Sequence, residues 1–144
     1  LYGISTDRRD ARKRMLFARF GIQEFAQVRV RDLSTGMKQK VSLVISLVQD
    51  PEIIIFDEPT NGLDILTAKV VTDFLLDLKQ GKTIIVSTHI FSLVEKICDR
   101  VGIIINGRMA ACEDLWTLCG DKSLEDRFFE IYEAVNGEDE NHDK

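Results

Sequence analysis

Two adjacent carboxylates, Asp57 and Glu58, are the residues with the clearest capacity for chemistry, and they directly follow the apolar run 53–56. Such a run predicts a strand buried on both faces, and ligands of open α/β sheets bind outside the carboxyl ends of the strands. Because successive strand residues point to opposite sides, one carboxylate can serve a metal ion while its neighbour serves a water molecule. The alternative is a buried strand with a solvated polar end, and the motif taken alone favours that alternative.

Two further motifs place polar groups at the ends of predicted elements. Ser34 and Gly36 stand where a helix over residues 37–48 begins, and the unpaired N–H groups of a first helical turn can hold a phosphate. Most such sequences are ordinary helix caps. His89 follows a predicted strand over residues 83–86. It can contact a phosphate and orient a water molecule, or it can be a polar loop residue, which is the commoner fate of a lone histidine.

The elements that must position these groups follow from hydrophobic periodicity. An apolar strand over residues 52–57, an amphipathic helix over 66–78 and the strand over 83–86 predict a strand–helix–strand crossover unit. This unit predicts an α/β fold with a mostly parallel sheet flanked by helices. The other predicted elements are a helix over 7–20 ended by Gly21, a short helix over 23–27, a helix over 90–97, a hairpin joining 101–105 to 108–112 through Asn106-Gly107, and a helix over 124–135.

The composition indicates one soluble globular domain, since 44% of the 144 residues are hydrophobic and 30% are charged. No apolar stretch reaches the roughly 20 residues that a membrane-spanning helix needs, so any membrane role is expected to pass through a partner. The first residue is Leu1 and no signal segment follows it, which indicates a cut end. The three cysteines share no paired spacing, so neither disulfides nor a zinc site is expected and a reducing cytoplasm fits best: Cys98, Cys112 and Cys119.

The charge is unevenly distributed along the chain. Residues 1–40 carry ten Lys and Arg against four Asp and Glu, a balance of +6, which leaves −11 for the remainder of a chain with net charge −5. The basic positions of residues 8–14 could bind nucleic acid, but no aromatic side chains are interleaved to stack on bases. A solvated helix face is therefore favoured, and no nucleic-acid partner is predicted.

Order and spacing make the three motifs more informative together than singly. Ser34 and Asp57 are 23 positions apart, Asp57 and His89 are 32 apart, and residues 61–64 (Asn-Gly-Leu-Asp) come just after the carboxylates. In this arrangement the chain resembles the ABC ATPase family. Residues 33–37 are similar to its signature loop, 53–58 to its Walker B strand, 61–64 to its D-loop and 87–89 to its switch histidine, and the resemblance covers the chain to about residue 135.

The resemblance implies a role for each catalytic residue. Asp57 would hold Mg²⁺ through water, Glu58 would act as general base towards the hydrolytic water, and His89 would sense the γ-phosphate of ATP. Asp64 would link the two nucleotide sites. The fold implied is the C-terminal half of a P-loop NTPase domain of the ABC type.

The resemblance also implies partners. Ser34, Thr35 and Gly36 would bind the γ-phosphate of an ATP held by a second ATPase subunit in a head-to-tail dimer. A separate ABC permease would carry out export, so the subunit would meet the membrane only through that permease, at the cytoplasmic face. The form of residues 34–40 looks like the bacterial branch that serves ABC-2-type permeases, including sodium exporters.

The chain departs from the family pattern at three points. Thr35 stands where the signature usually has Gly, and Met37 stands where it has Gln. The phosphate-binding loop G-x-x-x-x-G-K-[ST] is also missing, because residues 81–83 (Gly-Lys-Thr) match only its last letters and precede a strand instead of a helix. The 144 residues alone are therefore expected not to hydrolyse ATP at a useful rate.

These observations predict four parts: the end of a helical subdomain over 1–33, the C-terminal half of the ATPase core over 34–112, C-terminal helices over 113–135, and a disordered acidic tail over 136–144. A sheet made from this half alone is expected to expose unpaired edges. Two alternatives to a transport ATPase stay open. One is a soluble ABC ATPase of repair or translation, and the other is a non-catalytic half-domain that binds a full subunit.

Overall fold

The computed structural model of the protein describes residues 5–139. They divide into two compact units, one ending at Thr88 and the other beginning at His89. The division falls inside the segment 34–112 that the sequence predicts as one part.

The first unit follows the predicted order of helices and strands. The helix predicted over 23–27 is a short 3-10 turn at Ile22–Phe25 instead, and it directly follows the left-handed Gly21 that ends the preceding helix. A second 3-10 turn lies at Val30–Asp32. The regular elements are α1 (Thr6–Phe20), α2 (Thr35–Leu47), β1 (Ile53–Asp57), α3 (Ile65–Leu78) and β2 (Thr83–Ser87).

Local side-chain chemistry fixes the ends of these helices. Ser5 Oγ accepts a hydrogen bond from Arg8 N at the start of α1, and α1 ends at Gly21, whose φ is 65°. Ser34 Oγ accepts from Met37 N at 3.2 Å at the start of α2. The predicted caps at Ser34 and Gly21 are confirmed.

Replacing Gly21 with Ala is expected to lower the free energy of unfolding by about 1 to 2 kcal/mol, since an L-residue pays that cost in the left-handed conformation. A Cβ atom at position 21 would meet no other heavy atom within 4 Å. Any loss of stability therefore comes from the backbone conformation and not from a steric clash. Gly81→Ala is the matched control, because Gly81 also lies in open space but has no left-handed φ. Denaturant unfolding of both variants measures the difference, and equal losses in the two would contradict the backbone explanation.

The parallel sheet of the first unit is covered on one face only. β1 pairs with β2 in parallel, so that Asp57 lies opposite Ser87. Ile54 and Phe56 are buried, whereas Ile53 and Ile55 are 63% and 72% exposed. The prediction that β1 is buried on both faces is wrong for this structure, because the described part of the chain packs against only one side of the sheet. Within the same residues each strand is paired along one edge only, which agrees with the unpaired sheet edges that the sequence predicts.

A charged cluster ties the ends of α1, α2 and β2 together. Asp50 follows α2 with a left-handed φ of 54°, and its carboxylate lies 3.1 Å from Arg8, 2.9 Å from Arg12 and 2.7 Å from Lys82. Arg12 also donates to the carbonyl of Leu47 at 2.8 Å. Lys82 thus belongs to an ion cluster and precedes a strand, which agrees with rejecting residues 81–83 as a phosphate-binding loop.

The second unit contains the predicted hairpin and final helix. Its elements are α4 (Phe91–Ile97), β3 (Arg100–Ile105), β4 (Arg108–Asp114), α5 (Leu115–Cys119) and α6 (Leu124–Asp139). β3 and β4 pair antiparallel, and Asn106 and Gly107 both have positive φ, which is the type I′ turn predicted from their sequence. Ile103, Ile105 and Leu118 are core residues of this unit. No helix among the residues described is both long and apolar enough to cross a membrane.

The last helix continues beyond its predicted end. α6 includes residues 136–139, so the prediction of a disordered tail is wrong for these four positions, while residues 140–144 lie outside the described part. Each residue added to an existing helix gains a backbone hydrogen bond, which offsets the roughly 1 kcal/mol lower helix propensity of Gly137. Asn106 Nδ2 also donates to Asn136 Oδ1 at 3.1 Å and holds this segment against the hairpin.

Candidate functional site

The parallel register places a hydroxyl beside the first candidate carboxylate. Asp57 ends β1 and Ser87 ends β2 directly opposite it, and Ser87 Oγ donates a hydrogen bond to Asp57 Oδ1. Both residues are exposed. Two oxygen atoms that could ligate a metal ion therefore meet at the carboxyl edge of the sheet, where ligands of open α/β sheets bind.

Glu58 is held in an unusual conformation just beyond the strand. Its φ is 44°, in the left-handed region that few non-glycine residues adopt. Its N–H donates to the carbonyl of Ser87 at 2.9 Å, and Thr88 Oγ1 donates to Glu58 Oε2 at 3.0 Å. Such backbone strain, of order 1–3 kcal/mol, persists where the surroundings enforce it, and it clusters at functional sites. The two adjacent carboxylates thus contact different hydroxyl groups.

The loop over residues 59–63, here called the post-Glu58 loop, is fixed at both ends. Asn61 N donates to the carbonyl of Glu58 at 3.1 Å. Asp64 caps α3, since its carboxylate accepts from Thr67 N at 3.0 Å and from Thr67 Oγ1 at 2.7 Å. These hydrogen bonds from Thr67 hold the pKa of Asp64 below its usual value. The structure therefore shows Asp64 as a helix cap.

The start of α2 has the features of an anion site. Ser34 Oγ is the acceptor for Met37 N, and helix geometry leaves the N–H groups of Thr35 and Gly36 without an intrahelical partner. The Ser34 hydroxyl can still donate its own proton. The helix dipole adds a partial positive charge at this end, so this turn can hold a phosphate oxygen.

The sequence predicts a functional role for His89 but not for the two hydroxyl residues before it. His89 is an exposed residue at the start of the second unit. Ser87 and Thr88 were predicted only as neighbours of His89, whereas the structure shows them binding the two carboxylates. The signal that could have found them is the parallel pairing of the two strands, which brings Asp57 and Ser87 to the same edge.

The donors at this edge suit a magnesium ion that arrives with a nucleotide. Among the described residues no three or more His, Cys, Asp or Glu side chains gather into a group that could hold a metal by themselves. Mg²⁺ is commonly held by one or two carboxylates while waters and substrate phosphates complete its octahedron. The Asp57–Ser87 pair fits that kind of site.

Sequence comparison identifies the family. The profile of the family described as "ABC transporter" matches residues 4–61. The ABC transporter ATP-binding protein NatA of Bacillus subtilis is 42% identical over 110 residues, which cover 76% of this chain and 45% of that protein. The chain belongs to the ABC transporter ATP-binding family. It spans less than half the length of the curated relatives it matches.

Solved structures agree with this assignment and confirm the α/β fold class. A structure described as the ATP-binding subunit of an ABC transporter superposes with a TM-score of 0.84 at 31% identity, covering 91% of this chain and 57% of that one. A dimeric ATP-binding cassette of MJ0796 in a post-hydrolysis state, bound to ADP and Pi, superposes with a TM-score of 0.68 at 28% identity, covering 78% of this chain and 50% of that one.

Proposed function

We propose that the residues at the carboxyl ends of β1 and β2 form the site of ATP hydrolysis in the ATP-binding subunit of an ABC transporter, with Glu58 as the general base. The observation that carries the proposal is the geometry of Glu58, whose left-handed backbone follows the strand end and whose carboxylate accepts a hydrogen bond from Thr88. An unfavourable conformation held by specific hydrogen bonds is what a preoriented catalytic group requires.

Glu58 would take the proton from the water that attacks the γ-phosphate of ATP. General base catalysis requires the base to be within hydrogen-bond reach and correctly oriented before the proton moves. Thr88 fixes one carboxylate oxygen, and the bond from Glu58 N to Ser87 fixes the backbone. The side chain therefore loses little further freedom when the water binds.

Asp57 and Ser87 would form the protein part of the Mg²⁺ site, with Asp57 acting through a water molecule. When bound, Mg²⁺ neutralises charge on the phosphates. The bond from Ser87 to Asp57 orients that carboxylate at the sheet edge. Asp57 would then serve the metal ion and Glu58 the attacking water, because each carboxylate is held by a different hydroxyl group.

The first turn of α2 would bind the γ-phosphate of an ATP held by a second subunit. Ser34, Thr35 and Gly36 offer a hydroxyl and two N–H groups at the positive end of the helix dipole. The dimeric state of the MJ0796 structure bound to ADP and Pi supports a dimer, and its head-to-tail arrangement is what the family resemblance implies. His89 would sense the γ-phosphate, and Asp64 would link the two sites through the loop that it ends.

The transporter role is proposed from the family. The subunit would bind an ABC permease at the cytoplasmic face of the membrane and couple hydrolysis to export through it. The name of the Bacillus subtilis relative, an ABC transporter ATP-binding protein, supports a transport role. The parts over 1–33, 34–112 and 113–135 would then be the end of the helical subdomain, the ATPase core and the C-terminal helices, in that order.

A fusion provides the test of this function. The 144 residues would replace the aligned segment of the Bacillus subtilis relative, and Mg-ATP turnover would be compared with that of the 144 residues alone. We expect turnover in the fusion that EDTA abolishes, and none in the 144 residues alone, because they contain no phosphate-binding loop. A folded fusion that binds ATP without hydrolysing it would support the non-catalytic alternative instead.

A further inference from the structure

The first turn of α2 runs along the post-Glu58 loop. A Cβ atom built on Gly62 would lie 3.5 Å from Thr35 Cγ2, and one built on Gly36 would lie 3.8 Å from Leu63 Cδ2. Both distances start from a Cβ atom that glycine lacks, so the turn and the loop lie side by side with room for a methyl group between them. The phosphate-binding turn and the loop that follows the proposed base are thus close neighbours.

Gly62 faces the side chain of Thr35. Its φ is 71°, a conformation that favours glycine, and glycine has no side chain with which to anchor the loop. The methyl group of Thr35 lies on the side where a side chain of residue 62 would be, so it limits how far the loop can move towards the turn. A β-branched side chain has few χ1 rotamers, so this methyl is a well-defined surface. The family pattern has Gly at position 35, which would leave that space unfilled.

The loop transmits its position to the carboxylate. It spans only the five residues 59–63 between Glu58 and Asp64, and Asn61 N is bonded to the carbonyl of Glu58. Glu58 itself sits in a strained conformation that needs external support. A displacement of Gly62 would therefore disturb the hydrogen bond from Asn61 to the Glu58 carbonyl and, with it, the strained backbone of Glu58.

We propose that Thr35 is a positioning residue, whose methyl group sets the post-Glu58 loop and through it the orientation of Glu58. The proposal rests on the proposed function, in which Glu58 is the base. It gives the replacement of the signature Gly by Thr35 a physical role: the side chain positions the loop while the N–H of the same residue remains available to a phosphate.

Three substitutions separate the methyl from the hydroxyl. Thr35→Val keeps a methyl at Cγ2, Thr35→Ser keeps only the hydroxyl, and Thr35→Gly removes both. NMR of the 144-residue chain would follow amide hydrogen exchange at Asn61 and Leu63 and the side-chain ¹³Cδ shift of Glu58. We expect Ser and Gly to accelerate exchange about tenfold, since local opening governs protection, and to move the Glu58 signal, while Val restores both.

Lys38→Gly is the control for a general weakening of α2, because Lys38 is an exposed residue of the same turn. We expect it to leave the Glu58 signal in place. If Ser behaves as the parent does, or if Lys38→Gly shifts Glu58 as strongly as Thr35→Gly, the positioning role is wrong. Turnover of the fusion is independent of these signals: an inactive fusion with the NMR pattern intact would remove the proposed base and leave the contact standing.

Discussion

Glu58→Gln is expected to lower Mg-ATP turnover of the fusion by about 10²–10⁴-fold, the contribution typical of a positioned general base. The amide has almost the shape of the carboxylate and can still accept a hydrogen bond from Thr88, so the loop and the strained backbone should be preserved. What the amide cannot do is take a proton from water. Steady-state phosphate release measures the rate, and ATP binding should persist.

Glu52→Gln is the matched control for this result. Glu52 is an exposed carboxylate just before β1, so the same change of charge occurs at the opposite end of the same strand. We expect the fusion that carries Glu52→Gln to hydrolyse Mg-ATP at the parental rate. If Glu58→Gln keeps parental turnover, Glu58 is not the base, and if both variants lose turnover equally, the loss reflects charge or folding instead of chemistry.

Much of the fold could be predicted because it depends on residues close in sequence. Ser34 caps α2 through a residue three positions away, and Asn106 and Gly107 form a hairpin turn through their own backbone preferences. The strand–helix–strand order follows from apolar periodicity alone. These features need no knowledge of what else packs against them.

The features that could not be predicted depend on distant contacts. The bond from Thr88 to Glu58 joins residues 30 positions apart, and the left-handed backbone of Glu58 has no marker in its residue type. The exposure of Ile55 likewise reflects which surfaces lie above the sheet, because an apolar strand has the same sequence whether one face or both are covered. The position of Thr35 beside Gly62 belongs to the same class, since only the structure shows a helix turn beside that loop.

The charged cluster around Asp50 gives the largest expected effect on stability. Asp50→Asn should lower the free energy of unfolding by about 2 kcal/mol at neutral pH, somewhat less than the roughly 3–5 kcal/mol found when a fully buried pair is broken. The side chains of Asp50, Arg12 and Lys82 are only 15–21% exposed, so the two cations would remain largely desolvated without a counter-charge. Asn adopts the left-handed conformation readily, so the backbone at this position should not contribute.

The effect of Asp50 should also depend on pH. The hydrogen bond from Lys82, followed by the charges of Arg12, Lys82 and Arg8, holds the pKa of Asp50 below the usual value of an aspartate, although burial acts in the opposite direction. A carboxyl with a depressed folded-state pKa contributes stability that is fully present above its unfolded pKa and is lost as the pH falls through the folded one. The gap in unfolding free energy between parent and Asp50→Asn should therefore be constant near neutral pH and shrink below pH about 4.

Denaturant unfolding between neutral pH and pH about 3 would measure this gap. Asp32→Asn is the control, because Asp32 is 57% exposed and its carboxylate lies 3.6 Å from Arg31, which is 73% exposed. Such surface pairs contribute about 0–1 kcal/mol, so its gap should be small at every pH. If the difference in unfolding free energy between the parent and Asp50→Asn stayed constant down to pH about 3, the lost stability would come from packing and not from charge. The carboxylate of Asp50 would then not stabilise the protein by balancing its neighbouring cations.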